Sequence, residues 1–165
     1  MRRRLVVLAL TLTTLAGCGN EPTPAPPAPA VPPVTTAPLV DEAPALPDAC
    51  ELIKQADAEK LAGTPLDPPL PVKDTCTYTG PVTGPTAQVE VYVGDGAKKF
   101  LDIDRELGHA FTELAGIGDE AHLEDGTVFF AKGGVWVSIR LVRLVDPAET
   151  RDPLEAAART AAGRM

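Results

Sequence analysis

The sequence predicts an α+β fold: an antiparallel sheet of about five strands, with an N-terminal, a middle and a C-terminal helix packed mainly on one face. Three observations lead there. Residues 75–79 (Thr-Cys-Thr-Tyr-Thr) and 87–93 (Ala-Gln-Val-Glu-Val-Tyr-Val) alternate in polarity as half-buried strands do. Residues 127–131 and 135–144 form a second strand pair about Gly133-Gly134. Helix-start signals stand at Asp48, Asp95 and Asp146.

In chain order, Asp48 caps the first helix and Glu51 follows three residues later, a capping-box arrangement that places negative charge at a helix start. The helix is expected to run through Leu52, Ile53 and Leu61 to Gly63. The Pro-rich residues 64–71 cannot continue it. The strands at 75–79 and 87–93 should pair across the turn-rich residues 80–85. Gly94-Asp95-Gly96 then opens the middle helix, with the apolar stripe Phe100, Ile103, Leu107, Phe111 and a Lys98/Asp102 pair on its solvated side. Gly116-Ile117-Gly118 turns the chain into a short strand near residues 121–123. Asp146-Pro147-Ala148-Glu149 and Asp152-Pro153-Leu154-Glu155 both read as helix starts, so the last helix is offered two origins and should end near Gly163.

Ahead of this domain, residues 1–17 carry Arg2, Arg3 and Arg4 followed by an apolar run. Twelve residues at 1.5 Å rise reach roughly 18 Å, short of a ~30 Å hydrocarbon core, so the segment reads as a signal peptide. Leu15-Ala16-Gly17-Cys18 resembles the lipobox of bacterial lipoproteins, which implies cleavage before Cys18 and a diacylglyceryl group on its thiol. Two or more acyl chains, at about 0.8 kcal/mol per buried CH₂, make a durable membrane anchor. Residues 18–47 then form a Pro-rich linker. Ten of the 18 prolines lie between residues 21 and 47, and polyproline II geometry makes the stretch a semi-rigid spacer of up to about 80 Å. Residues 48–165 hold every aromatic side chain and enough chain for one core.

The net charge of −8 becomes more negative once the three leader arginines are removed, and an acidic chain lacks the Lys/Arg excess that phosphate neutralisation requires. Nucleic acid is therefore not expected as a partner. With Cys18 taken by lipid, Cys50 and Cys76 remain as a pair in an oxidising compartment, and a disulfide is expected, worth roughly 3.5 kcal/mol by loop entropy.

The lipobox, the Pro-rich spacer, Asp48-Ala49-Cys50-Glu51-Leu52-Ile53, Cys76-Thr77-Tyr78 and Leu114-Ala115-Gly116-Ile117-Gly118-Asp119-Glu120-Ala121 occur in that order. The arrangement resembles an uncharacterised lipoprotein family of high-GC Gram-positive bacteria. The resemblance spans the folded part and implies an envelope lipoprotein without established chemistry. One departure is Asp48-Ala49-Cys50, where the family has Asp-Pro-Cys.

Patterns that could carry chemistry were weighed against plainer readings. Gly116-Ile117-Gly118-Asp119-Glu120-Ala121 has the letters of a dinucleotide loop, but a helix precedes it and a strand follows, the reverse of the required context. Asp102-Ile103-Asp104-Arg105-Glu106 with Glu113 superficially matches a calcium loop, yet Leu107 stands where Gly is demanded and the segment reads as helix. Ser138, the sole serine, needs a base, and His109 and His122 are the available candidates. The same histidines with Asp119 and Glu120 are the available metal donors. No catalytic set, no metal site and no cofactor is expected from these patterns.

Strand alternation groups Tyr92, Trp136, Ser138 and Arg140 on one face, opposite the valines at 89, 91, 93, 135 and 137. Aromatic and polar groups mixed in this way suit a recognition surface; the plainer reading is a second small core beneath the linker, a loop or the last helix. The expectation is a lipid-anchored, non-enzymatic binding or accessory module on the extracytoplasmic side of the cell membrane, with an envelope protein or cell-wall component as partner. A carrier for a small apolar ligand and an envelope hydrolase acting through carboxylates are the alternatives.

Overall fold

The computed structural model describes residues 45–165. The expectations for the leader, for Cys18 and for the linker up to residue 44 fall outside the described residues.

The first helical region is two helices rather than one. Helix α1 (Ala49–Leu52) starts where the Asp48 carboxylate accepts from the Cys50 N–H at 2.8 Å. At Ile53 the backbone becomes extended (φ −124°, ψ 105°) and turns its carbonyl to the buried Tyr78 hydroxyl, which donates to it. Helix α2 (Gln55–Ala62) restarts beyond Lys54 and closes at Gly63, which takes φ +67° and donates its N–H to the Glu59 carbonyl at 2.8 Å.

The strands are β1 (Leu70–Val72), β2 (Thr75–Thr79), β3 (Ala87–Val93), β4 (Thr112–Glu113), β5 (Glu120–Glu124), β6 (Thr127–Lys132) and β7 (Val135–Arg143). Helix α3 (Asp95–Glu106) lies between β3 and β4 in the chain, and α4 (Ala148–Ala162) follows β7. All pairings are antiparallel, in the order β1-β2-β3-β7-β6-β5-β4. Among the described residues the sheet thus has seven strands instead of about five. The two extra strands are the short edges, which pair through backbone and carry no alternating pattern to read. Pro71 in β1 is tolerated because an edge strand leaves one side of its backbone unpaired.

The central register Val91↔Ile139↔Val128 places the apolar members of β3, β7 and β6 on one face. There Val89, Val137 and Phe130 meet Leu52, Ile53, Leu61, Leu154 and Ala158 in the main core beneath α1, α2 and α4. The Cys50–Cys76 disulfide ties α1 to β2 across a Cα–Cα distance of 5.2 Å.

Helix α3 departs from the expected arrangement and packs on the opposite face. Its Phe100 ring meets Tyr92 edge-on at 5.2 Å, and Lys98 lies 5.5 Å over the Trp136 ring. The fully buried positions of α3 are Ala97 and Leu101, whereas Phe100, Ile103 and Leu107 of the expected stripe are 44%, 50% and 69% exposed. Ala97 lets the helix approach the sheet closely, Leu101 fills the contact, and Phe100, Ile103 and Leu107 flank it. The helix also stops early: Gly108 takes φ +80°, so Phe111 leaves the helical register and packs against Phe129 at 6.2 Å. The expected Lys98–Asp102 ion pair does form.

Helix α4 uses the first of its two origins. The Ala148 N–H donates to the Asp146 carboxylate at 2.9 Å, and Pro153 lies inside the helix. Burial of Leu154, Ala158 and Ala161 against the sheet carries the helix past the proline to Gly163.

Candidate functional site

A cleft of about 610 Å³ opens between α3, the segment after it and the second face of the sheet. Sheet register builds its floor. One lining row across the strands is Tyr92↔Ser138↔Phe129, and the next is Arg140↔Thr127↔Glu124; His122 and Glu90 end these rows outside the cleft lining. Phe100, Asp104 and His109 descend from α3 and the following segment to form the opposite wall, and Arg151 at the start of α4 stands at the edge.

The four residues singled out from strand alternation do share this face. Tyr92, Ser138 and Arg140 line the cleft, while Trp136 lies one row away under Lys98. Tyr92 is half-buried, and burial, with the neighbouring Glu90 carboxylate adding, raises its hydroxyl pKa. Ser138 is buried. Arg140 is exposed and stands 3.7 Å from Glu90. Among the described residues the cover over this face is α3 with the segment that follows it, and Arg151 of the last helix stands at its edge.

The cleft also gathers three residues that spacing alone does not connect. His109 Nδ1 lies 3.0 Å from Glu124 Oε2 and 3.7 Å from Asp104 Oδ1, and one donor atom from each of the three residues fits within 4.8 Å of the others. Glu124 is buried, and that burial raises its carboxyl pKa; Asp104 adds to the rise and His109 opposes it. His109 is exposed and Asp104 half-buried. Of the metal donors read from sequence, His109 belongs to this cluster, while His122, Asp119 and Glu120 lie outside it. Asp119 accepts from the Gly133 N–H at 2.8 Å and fixes the β6–β7 turn. Glu120 bonds His122 at 2.6 Å and faces Arg105 at 3.5 Å, and the His122 hydrogen bond chiefly holds its carboxyl pKa below the ordinary value.

Neither histidine is hydrogen-bonded to Ser138 among the described residues: His109 faces Glu124 and His122 faces Glu120. Among the described residues neither histidine is therefore hydrogen-bonded to Ser138 as the base that a nucleophile requires. The Gly116-Ile117-Gly118 segment is a turn, with Ile117 buried and Gly118 at φ +58°, and it opens no helix that could face a phosphate.

No family model, curated protein or solved structure matches the chain, so the lipoprotein resemblance rests on its own motifs. Among the described residues no helix is long and apolar enough to cross a membrane.

Proposed function

We propose that the chain is a lipid-anchored lipoprotein of the cell envelope whose domain is a non-enzymatic binding module, with the cleft beneath α3 as its ligand site. The observation that carries this reading is the cleft itself. Its volume of about 610 Å³ falls in the range that small-molecule sites occupy, and it lies where aromatic and polar side chains converge. Tyr92 and Phe100 offer apolar surface above the buried Phe129, while Asp104, Glu124, Arg140 and Arg151 bring both signs of charge. Such a lining suits a ligand with a small apolar body and charged groups, the chemistry of a peptide-bearing cell-wall fragment. It disfavours a wholly apolar cargo, which would desolvate those charges without pairing them.

The hydrolase reading has its converging acids in Asp104 and Glu124, but His109 stands against both of them. Carboxylate pairs that hydrolyse glycosidic bonds are held about 5 Å or more apart so that they can flank the bond. These two converge on one point. The anchor reading draws on Arg2–Arg4, the apolar run and Cys18, with the Pro-rich linker as spacer. Binding of soluble cell-wall fragments to the purified protein, measured calorimetrically for wild type, Tyr92→Ala and Arg140→Ala, tests the site. Saturable binding weakened in both variants supports it, and equal binding by all three refutes it.

A further inference from the structure

Negative charge accumulates at one wall of the cleft, with neither lysine nor arginine paired to it among the described residues. Glu124 is only 8% exposed. Asp104 faces the same point from the last turn of α3, where helix carbonyls present the negative end of the dipole. The nearby arginines are directed elsewhere: Arg105 to Glu120 at 3.5 Å, Arg140 to Glu90 at 3.7 Å and Arg151 to the Thr112 hydroxyl at 3.2 Å. Among the described residues, His109 alone forms close charged-group contacts with the Asp104–Glu124 pair. A desolvated carboxylate pair is costly unless something positive joins it.

The donor geometry meets that need. Metal–nitrogen and metal–oxygen bonds of about 2.0–2.2 Å in a tetrahedral site place donors roughly 3.4 Å apart. The His109–Glu124 and His109–Asp104 separations of 3.0 and 3.7 Å bracket that value. The three ligands come from a helix end, the segment beyond it and a strand end, so the fold holds them from separate directions. One imidazole and two carboxylates without sulfur suit Zn²⁺ or Mn²⁺. Three protein ligands also leave a coordination position free, the arrangement of zinc sites that engage a further molecule.

We infer that Asp104, His109 and Glu124 form a divalent-metal site, and that its open position faces the cleft. The part of this inference that concerns an organic ligand rests on the binding reading above; the metal part does not.

The test is calorimetric titration of ZnCl₂, with MnCl₂ in parallel, into the untagged full-length chain in detergent after chelator treatment and without organic ligand. The expected result is one ion per chain, held at least tenfold less tightly by Glu124→Gln and by His109→Ala, with His122→Ala unchanged. Glu124→Gln preserves side-chain shape, and circular dichroism melting of each variant separates lost binding from lost fold. Absence of binding by wild type, or equal binding by a folded Asp104→Asn/His109→Ala/Glu124→Gln variant, overturns the site. Cell-wall fragment binding measured both in chelator and with saturating Zn²⁺ distinguishes the two readings: fragments bound by a protein with no Zn²⁺ affinity remove the metal site alone, and Zn²⁺ bound with no fragment affinity under either condition removes the ligand reading alone.

Discussion

The Tyr78 hydroxyl donates a hydrogen bond to the carbonyl of Ile53, the residue at which the first helical region breaks, and both residues are fully buried. The contact joins the sheet to the α1–α2 corner and satisfies a carbonyl that the helix break leaves free. Tyr78→Phe leaves that carbonyl unpaired, and a loss of about 1–3 kcal/mol in unfolding free energy is expected, measured by urea denaturation. An unchanged midpoint would show that the contact contributes nothing.

The same tyrosine sets an alkaline limit. Burial, with Asp48, Asp57 and Glu51 adding, pushes its pKa up to about 12 from an ordinary value near 10. The folded state therefore holds the proton more tightly than the unfolded chain. Its stabilisation is fully present below pH 10 and is lost as pH rises from about 10 to 12, to the extent of about 2–3 kcal/mol. Thermal melts across that window should fall more steeply for wild type than for Tyr78→Phe; parallel curves would contradict the assignment.

Gly118 stands where no side chain fits. At φ +58°, a Cβ would lie 2.2 Å from the Ala131 carbonyl oxygen. Gly118→Ala is expected to cost more than about 2 kcal/mol, because both the conformation and the contact must give way. Gly108→Ala has the strained conformation without a neighbour in the way and should cost less. Equal melting temperatures for the two variants would remove the steric argument.

The Cys50–Cys76 bond closes the α1–β2 junction. Its removal by Cys50→Ala/Cys76→Ala is expected to lower stability by about 3–4 kcal/mol. Denatured, unreduced wild-type protein should leave both thiols unavailable to alkylating reagent, and labelling of both would contradict the pairing.

Trp136 and Tyr92 separate folding from recognition. Trp136 packs under Lys98 beyond the cleft lining, whereas Tyr92 lines the cleft beside Phe100. Trp136→Ala is expected to lower the melting temperature with fragment affinity nearly intact, and Tyr92→Ala to weaken affinity at least tenfold. The reverse pattern would place recognition outside the cleft.

Much of the fold was legible because local chemistry and tertiary structure agree. Alternation in β3 and β7 sorted the valines from Tyr92, Ser138 and Arg140 correctly, and Asp48, Gly63 and Gly163 marked helix ends where they occur. The failures arose where packing overrode pattern. Helix α3 buries Ala97 and Leu101 and leaves Phe100, Ile103 and Leu107 flanking, and no local pattern in the chain says which face of the sheet a helix will cover. The Asp104–His109–Glu124 cluster needs three facts at once: an early helix end at Gly108, the β5–β6 register and the docking of α3 on the second face. Only the glycine is visible in the sequence, as a possible helix stop. The sequence offers His109 as a ligand together with His122, Asp119 and Glu120, and nothing local in the chain points from it to Glu124.

The most direct measurement of the central claim is an amide ¹H–¹⁵N titration of the protein with soluble cell-wall fragments. The account predicts saturable shifts concentrated at Tyr92, Phe129, Ser138, Arg140 and the C-terminal half of α3, with the α1–α2–α4 face unchanged. Saturable shifts confined to that helical face, or no saturable shifts at all, would contradict it.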